Sequence, residues 1–238
     1  MRDKLAREPS PAGKTRSPAT INRYVAALSG LYSWALEHHL VDRHPVSGVT
    51  PLDEGAARLR CLSPEEKQAL IAACRETGGL RLQALVVVGL STGARRGEIL
   101  RLRWSDLDIK KQELTIHGGG RLRSRTLPLP ASAMSLLAKL ARVRRIDGNR
   151  IFADSHGRVR FPRAAWQAAL EVAEIEDFRF HDLRHSTAAY LARNGASLPE
   201  IAQILGTRTL QGVRRYACLT ESQTPAVIGK MHDDLFET

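Results

Sequence analysis

The chain has 238 residues, 43% of them hydrophobic and 26% charged, with a formal net charge of +11 at pH 7. That length and apolar content suit one large domain, or a large and a small one, and no apolar run is long enough for a membrane span. Met1 to Lys14 lacks the apolar core of a signal peptide, and the three cysteines (Cys61, Cys74, Cys218) are scattered and odd in number. Together these argue against a disulfide framework and point to a reducing, cytoplasmic setting.

Arginine dominates the basic residues and clusters at 95–103, 121–125, 142–145, 158–163 and 208–215. Its planar fork pairs with phosphate better than a lysine ammonium does, so a polyanion is the natural partner, nucleic acid the commonest. With aromatic residues at only 5%, stacking on single strands is not favoured. Duplex DNA gripped through its backbone fits better.

In chain order, residues 1–16 are polar and basic and read as a disordered lead-in. Ser17-Pro18 places an N-cap before a proline at the first helical position. From Ala19 to about His39, the residues Ile21, Tyr24, Val25, Leu28, Leu31, Tyr32 and Leu36 recur at helical spacing. Residues 48–61, with Pro51 and Gly55, read as a linker. Ser63-Pro64-Glu65-Glu66 is a capping box that opens a helix to about Arg75. Gly78-Gly79 breaks the chain, and Leu80 to Leu90 predicts a second, buried helix. That helix delivers Thr92-Gly93, a turn presenting Arg95, with Glu98 one turn on and placed to orient it by an ion pair.

Beyond Asp106 the composition becomes strand-like. Glu113 to His117 and Arg125 to Leu129, around Gly118-Gly119-Gly120, predict a hairpin. Ser132 to Arg144 reads as an amphipathic helix, Ile151-Phe152 as a short buried segment, and Phe161 to Glu174 as another helix. His181-Asp182-Leu183-Arg184-His185 then starts a helix capped by Asn194-Gly195. A second capping box, Ser197 to Glu200, opens a helix from Pro199 to Leu205 that ends at Gly206. Tyr216 follows among arginines, and Val227, Ile228, Met231 and Leu235 again have helical spacing. The whole reads as α+β, mostly helical with a small antiparallel hairpin.

Residues three and four apart share a helical face, so His181, Arg184 and His185 project together. One fixed cation with two imidazoles suits an anionic, proton-transferring reaction, and the Tyr216 hydroxyl adds a nucleophile. A His-x-x-x-His pair also has zinc-ligand spacing, but the glutamate of the hydrolase motif is missing and Arg184 would repel a cation. No metal is expected.

These motifs resemble the tyrosine recombinase (phage integrase) family. Thr92-Gly93-Ala94-Arg95-Arg96-Gly97-Glu98, continued by Ile99 to Asp106, is similar to the family's first motif. HDLRH at 181–185, Ile204-Leu205-Gly206 and Tyr216 are similar to its second, and the match runs from about Ser17 to the C-terminus. The resemblance implies a catalytic domain over 62–238, after a linker at 48–61 and a truncated helical core-binding region at 17–47. It implies Arg95, His181, Arg184 and Tyr216 as catalytic residues: the arginines neutralise the nonbridging phosphate oxygens, His181 takes the phenolic proton, and Tyr216 forms a 3′-phosphotyrosyl bond. His185 reads as a packing histidine without a catalytic role. Glu98, Arg121 and Thr207 are expected to support the site, and Arg121, Arg123, Arg125, Arg208, Arg214 and Arg215 to meet DNA.

The chain departs from the family pattern at three places. Gly120 stands where the family has the lysine that protonates the leaving 5′-oxygen, Thr207 where it usually has histidine, and Cys218 at a further frequent histidine position. The resemblance further implies a homotetramer on paired duplex sites, no cofactor, nucleoid association, and a C-terminal helix docked on a neighbouring protomer or on its own domain. Two functional readings follow: a site-specific recombinase or integrase of a mobile element, and a recombinase-fold DNA-binding protein that no longer cleaves.

Overall fold

The computed structural model describes residues 6, 7, 13, 15–55, 59–119, 124–143 and 148–217. Gly120, Arg121, Arg123, Cys218 and the 227–235 segment lie outside the described residues, as does most of the expected lead-in at 1–16. The chain forms two compact units, Met1–Arg58 and Leu59–Thr238.

Among its described residues the first unit carries the long helix α1 (Pro18–Glu37). Ser17 caps it, its Oγ accepting the Thr20 N–H at 3.3 Å. The following loop folds back on the helix: Asn22 donates to the Leu52 carbonyl and accepts the Leu52 N–H, both at 2.8 Å. Of the apolar positions at helical spacing, Ile21 is buried and Val25, Leu28, Tyr32 and Leu36 are half-buried, whereas Tyr24 and Leu31 stay about half exposed (49% and 57%), with Trp34 beside them at 50%. Helical spacing sets which residues share a face; burial needs a second surface laid on that face.

The second unit is built on α2 (Pro64–Thr92). Its capping box is complete: Ser63 Oγ accepts the Glu66 N–H at 3.1 Å and Glu66 Oε2 accepts the Ser63 N–H at 2.9 Å. The two helices expected on either side of Gly78-Gly79 meet within α2 at a kink, where Gly79 is non-helical with a φ of 63° that glycine adopts at little strain. After the bend Leu82, Ala84, Leu85, Val86, Val87 and Val88 are all buried, apolar on every side. This half is the centre of the unit. Three later helices pack around α2: α4 (Ala131–Arg142), α5 (Arg163–Val172) and α6 (Asp182–Arg193). Phe161, Trp166 and Phe180 close the core beside α5 with edge-to-face rings 4.9 and 5.3 Å apart.

Between α2 and α4 lie the short α3 (Arg96–Leu100) and a three-stranded antiparallel sheet ordered β1 (Leu107–Asp108), β2 (Glu113–Ile116), β3 (Arg125–Pro128). The predicted hairpin is β2–β3, paired from Glu113↔Pro128 to Ile116↔Arg125, and β1 adds an edge that the composition did not signal. The last α-helix among the described residues, α7 (Leu198–Leu205), lies on α6. With the 3-10 turns Leu210–Gly212 and Arg214–Tyr216 it encloses a small second core of Ala188, Ala192, Ile201, Leu205, Val213 and Tyr216. The fold is α+β and mostly helical. No helix among the described residues is long and apolar enough to cross a membrane.

Candidate active site

Gly93 ends α2 in the left-handed region, φ 59°, and Arg95 caps α3 two residues later. A Cβ on Gly93 would lie 2.4 Å from Leu205 Cδ2, so this turn sits against the end of α7 with no room for a side chain. Glu98 is 3% exposed. Its Oε2 accepts the Arg95 backbone N–H at 2.9 Å and its Oε1 accepts Arg95 Nη1 at 3.3 Å. Burial works to raise the Glu98 carboxyl, but the hydrogen bonds from Arg125 and Arg95 and their charges outweigh it, and the group lies below its ordinary value. It is therefore a carboxylate at neutral pH.

Arg184, 6% exposed, is held from behind. Its Nη1 donates to the Gly93 carbonyl at 2.8 Å and to the Leu205 carbonyl at 2.7 Å. Among the described residues nothing accepts from Nη2 or Nε, which leaves those donors for an incoming oxygen. Burial, then the charges of Arg95 and Arg125, pull its pKa down to about 10, so it stays protonated at neutral pH.

Tyr216 is 2% exposed, and its hydroxyl meets His185 Nδ1 at 2.5 Å. The expected partner was His181, with His185 a packing residue. His181 is the N-cap of α6, whereas His185 lies one turn inside the helix, level with the turn that carries Tyr216. One hydroxyl reaches one of two rings four residues apart, and helix packing decides which. The rings of His181 and His185 are nevertheless neighbours, their centroids 5.5 Å apart. Burial pushes the Tyr216 phenol up to about 12 against the opposing pull of Arg215 and Arg184. Burial also pushes His185 down to about 4, with His181 and Arg215 adding to it. His181 is lowered as well, by partial burial first and then by Arg184.

Of the residues expected to meet DNA, Arg208, Arg214 and Arg215 are exposed. Arg125 is not: its side chain is 7% exposed. Its Nη2 donates to Glu98 Oε2 at 3.0 Å and its Nε to the Ile204 carbonyl at 2.7 Å. The sequence showed one more arginine of a basic hairpin. Only the approach of α7 to β3 turns it inward.

A cavity of about 690 Å³ opens between β3 and α7, lined by Arg125, Gln203, Gly206, Thr207 and Arg208 among others. Among the described residues, Thr207 Oγ1 and Arg125 Nη1 are both buried without a hydrogen-bond partner. Unmet buried donors are uncommon, and the Thr207 hydroxyl beside a basic cavity suits an oxyanion. No group of three or more His, Cys, Asp or Glu among the described residues is placed to hold a metal ion.

Residues 60–223 match the model of the phage integrase family. The chain is 32% identical over 231 residues to the integrase of Salmonella phage P22, a match covering 89% of this chain and 56% of that protein. It is 29% identical over 247 residues to tyrosine recombinase XerC of Chlorobaculum parvum, covering 90% of this chain and 73% of that one. Its fold is similar to that of the Tn1549 transposon integrase solved in complex with circular intermediate DNA, with a TM-score of 0.73 at 17% identity over 90% of this chain and 78% of that one. The chain thus spans just over half the length of the phage P22 relative. A match over most of the chain, with both arginines and the tyrosine drawn to one site, places this protein in the tyrosine recombinase (phage integrase) family.

Proposed function

We propose that this chain is a site-specific DNA recombinase of integrase type, cleaving and rejoining duplex DNA without metal or nucleotide cofactor. The observation that carries the reading is the Tyr216 hydroxyl hydrogen-bonded to the imidazole of His185, within the electrostatic reach of Arg184. In the cleavage step Tyr216 Oη attacks phosphorus and forms the phosphotyrosyl bond as the bond from phosphorus to the 5′-oxygen breaks. The phenolic proton passes to His185 Nδ1, and the leaving 5′-oxygen takes up a proton. Rejoining reverses these steps, with a 5′-hydroxyl as nucleophile.

Arg95 and the open donors of Arg184 neutralise the nonbridging oxygens. Thr207 Oγ1 supplies a further donor at the cavity edge. His181, beside Arg184 and His185, is kept neutral and serves as a second donor or acceptor on the phosphate side. Because Tyr216 is buried, the two short 3-10 turns at 210–216 move aside when a phosphate approaches. Arg208, Arg214 and Arg215 grip the backbone nearby, and the protein works as a tetramer on paired sites. The proton for the leaving oxygen is the weak point. Gly120 offers none, and Arg121, the nearest cation in sequence, holds its proton too tightly to give it up readily. A missing general acid slows such a step by about 100- to 10,000-fold.

Covalent capture tests the reading. Duplexes tiled across the ends of the element that carries the gene are offered with a normal 5′-oxygen or with sulfur in its place, since sulfur leaves without an acid. A denaturation-resistant adduct on sulfur DNA, absent in Tyr216→Phe, is the expected result. Binding without an adduct on either substrate would move the reading to a DNA-binding protein that does not cleave.

A further inference from the structure

The two arginines of the site come from α3 and α6, and what keeps them in step with each other is a closed run of hydrogen bonds. Arg184 is tied to the Gly93 carbonyl, two residues before Arg95, and to the Leu205 carbonyl. Arg95 is tied to Glu98. Arg125 joins the open ends: Nη2 to Glu98, and Nε to the Ile204 carbonyl, the peptide next to Leu205. We propose that Arg125 is a positioning residue that holds Arg95 and Arg184 in register and couples that register to the β2–β3 hairpin. Its consequence for cleavage rests on the function proposed above.

Three features support this role over a general basic or packing one. Arg125 is sealed away from solvent, unlike Arg208, Arg214 and Arg215, so DNA contact does not explain its placement. Its planar fork spans two acceptors from different elements, which a lysine ammonium on a flexible stem cannot hold at fixed angles. The chain also makes room for that fork: a Cβ on Gly206 would stand 2.5 Å from Arg125 Nη1 and 3.0 Å from its Cζ. Arg125 pairs with Ile116 as the last registered pair before the hairpin loop, so a pull on the loop is felt first at this guanidinium.

The test uses the full chain with Arg125→Gln, Arg125→Lys, Glu98→Gln and the Arg125→Gln/Glu98→Gln double variant, on the sulfur-substituted duplex. A small displacement of a phosphate-holding group lowers the rate of adduct formation by about 10- to 100-fold. The expected result is that loss in Arg125→Gln, with the half-saturating DNA concentration changed less than about threefold and the double variant no more than about twofold below Glu98→Gln. Wild-type rates in Arg125→Gln, or losses that multiply in the double variant, would overturn the proposal. So would a loss that disappears once rates are scaled to the folded fraction. A second readout needs no DNA: the side-chain Nε–H resonances of Arg95 and Arg184 should shift and exchange faster in Arg125→Lys and Glu98→Gln, and unchanged spectra would equally sink the idea. If wild type makes no adduct, the cleavage reading fails and the spectra alone decide the coupling.

Discussion

The Tyr216 hydroxyl and His185 Nδ1 lie 2.5 Å apart, and one cause, burial, moves their proton affinities in opposite directions. The phenol rises to about 12 and the imidazole falls to about 4. A gap that wide keeps the proton on tyrosine in the free protein. Transfer becomes favourable only as the phenolic oxygen bonds to phosphorus, so the nucleophile stays idle until DNA is engaged. Tyr216→Phe should abolish the covalent adduct while leaving DNA affinity within about twofold. It leaves one imidazole nitrogen without its partner, at a cost of about 1 kcal/mol in denaturant unfolding. Adduct formation by Tyr216→Phe would assign the nucleophile elsewhere.

The same pair gives the protein an acid-sensitive fold. His185 has an ordinary value of 6.5 when unfolded and about 4 when folded, so between those values the unfolded chain binds more protons. The stability tied to its neutral form is complete above about pH 6.5 and is lost as pH falls toward 4. His181 shifts in the same direction. The melting temperature should therefore decline from pH 6.5 to 4.5, and His185→Gln should flatten part of that decline. A wild-type profile level across this range would show that neither imidazole is held neutral.

Arg184→Ala removes the donor shared by two inward carbonyls, those of Gly93 and Leu205. An unsatisfied buried acceptor costs about 1–3 kcal/mol, so chemical unfolding should register a loss in that range or somewhat above it. Arg184→Lys restores charge but not the fork, and should recover stability better than adduct rate. Equal recovery of both would mean that geometry at this position is unimportant.

Gly93→Ala meets two obstacles. A side chain in the left-handed region costs about 1–2 kcal/mol, and the new methyl would press on Leu205 at 2.4 Å. The variant should melt several degrees lower and also lose adduct rate, because the same turn sets Arg95. Loss of stability with a normal rate per folded molecule would separate the turn from the chemistry.

DNA affinity should fall steeply with salt. Each phosphate contact neutralised by arginine removes about 0.9 from the slope of log K against log salt. Arg208→Ala and Arg214→Ala should each make that slope shallower by about one, whereas Arg125→Gln should leave it unchanged because Arg125 faces inward. A change in slope for Arg125→Gln would place that residue on the DNA.

Local chemistry was legible in the residues themselves. The capping boxes at Ser63 and Ser197, the stops at Gly93 and Gly206 and the two-strand pattern around Gly118 depend on contacts within a few residues, and the chain adopts them as written. The motifs that carry Arg95, Arg184 and Tyr216 are short enough to be read in the same way. The tertiary structure alone decided the pairings between distant positions. It chose His185 over His181 for a tyrosine 31 residues away. It turned Arg125 from a presumed DNA contact into an internal strut reaching Glu98 across 27 residues and Ile204 across 79. It also left Tyr24 and Leu31 of α1 about half exposed. Periodicity names the face a side chain occupies; which surface meets that face depends on how helices and sheet pack, and no window of sequence contains that packing.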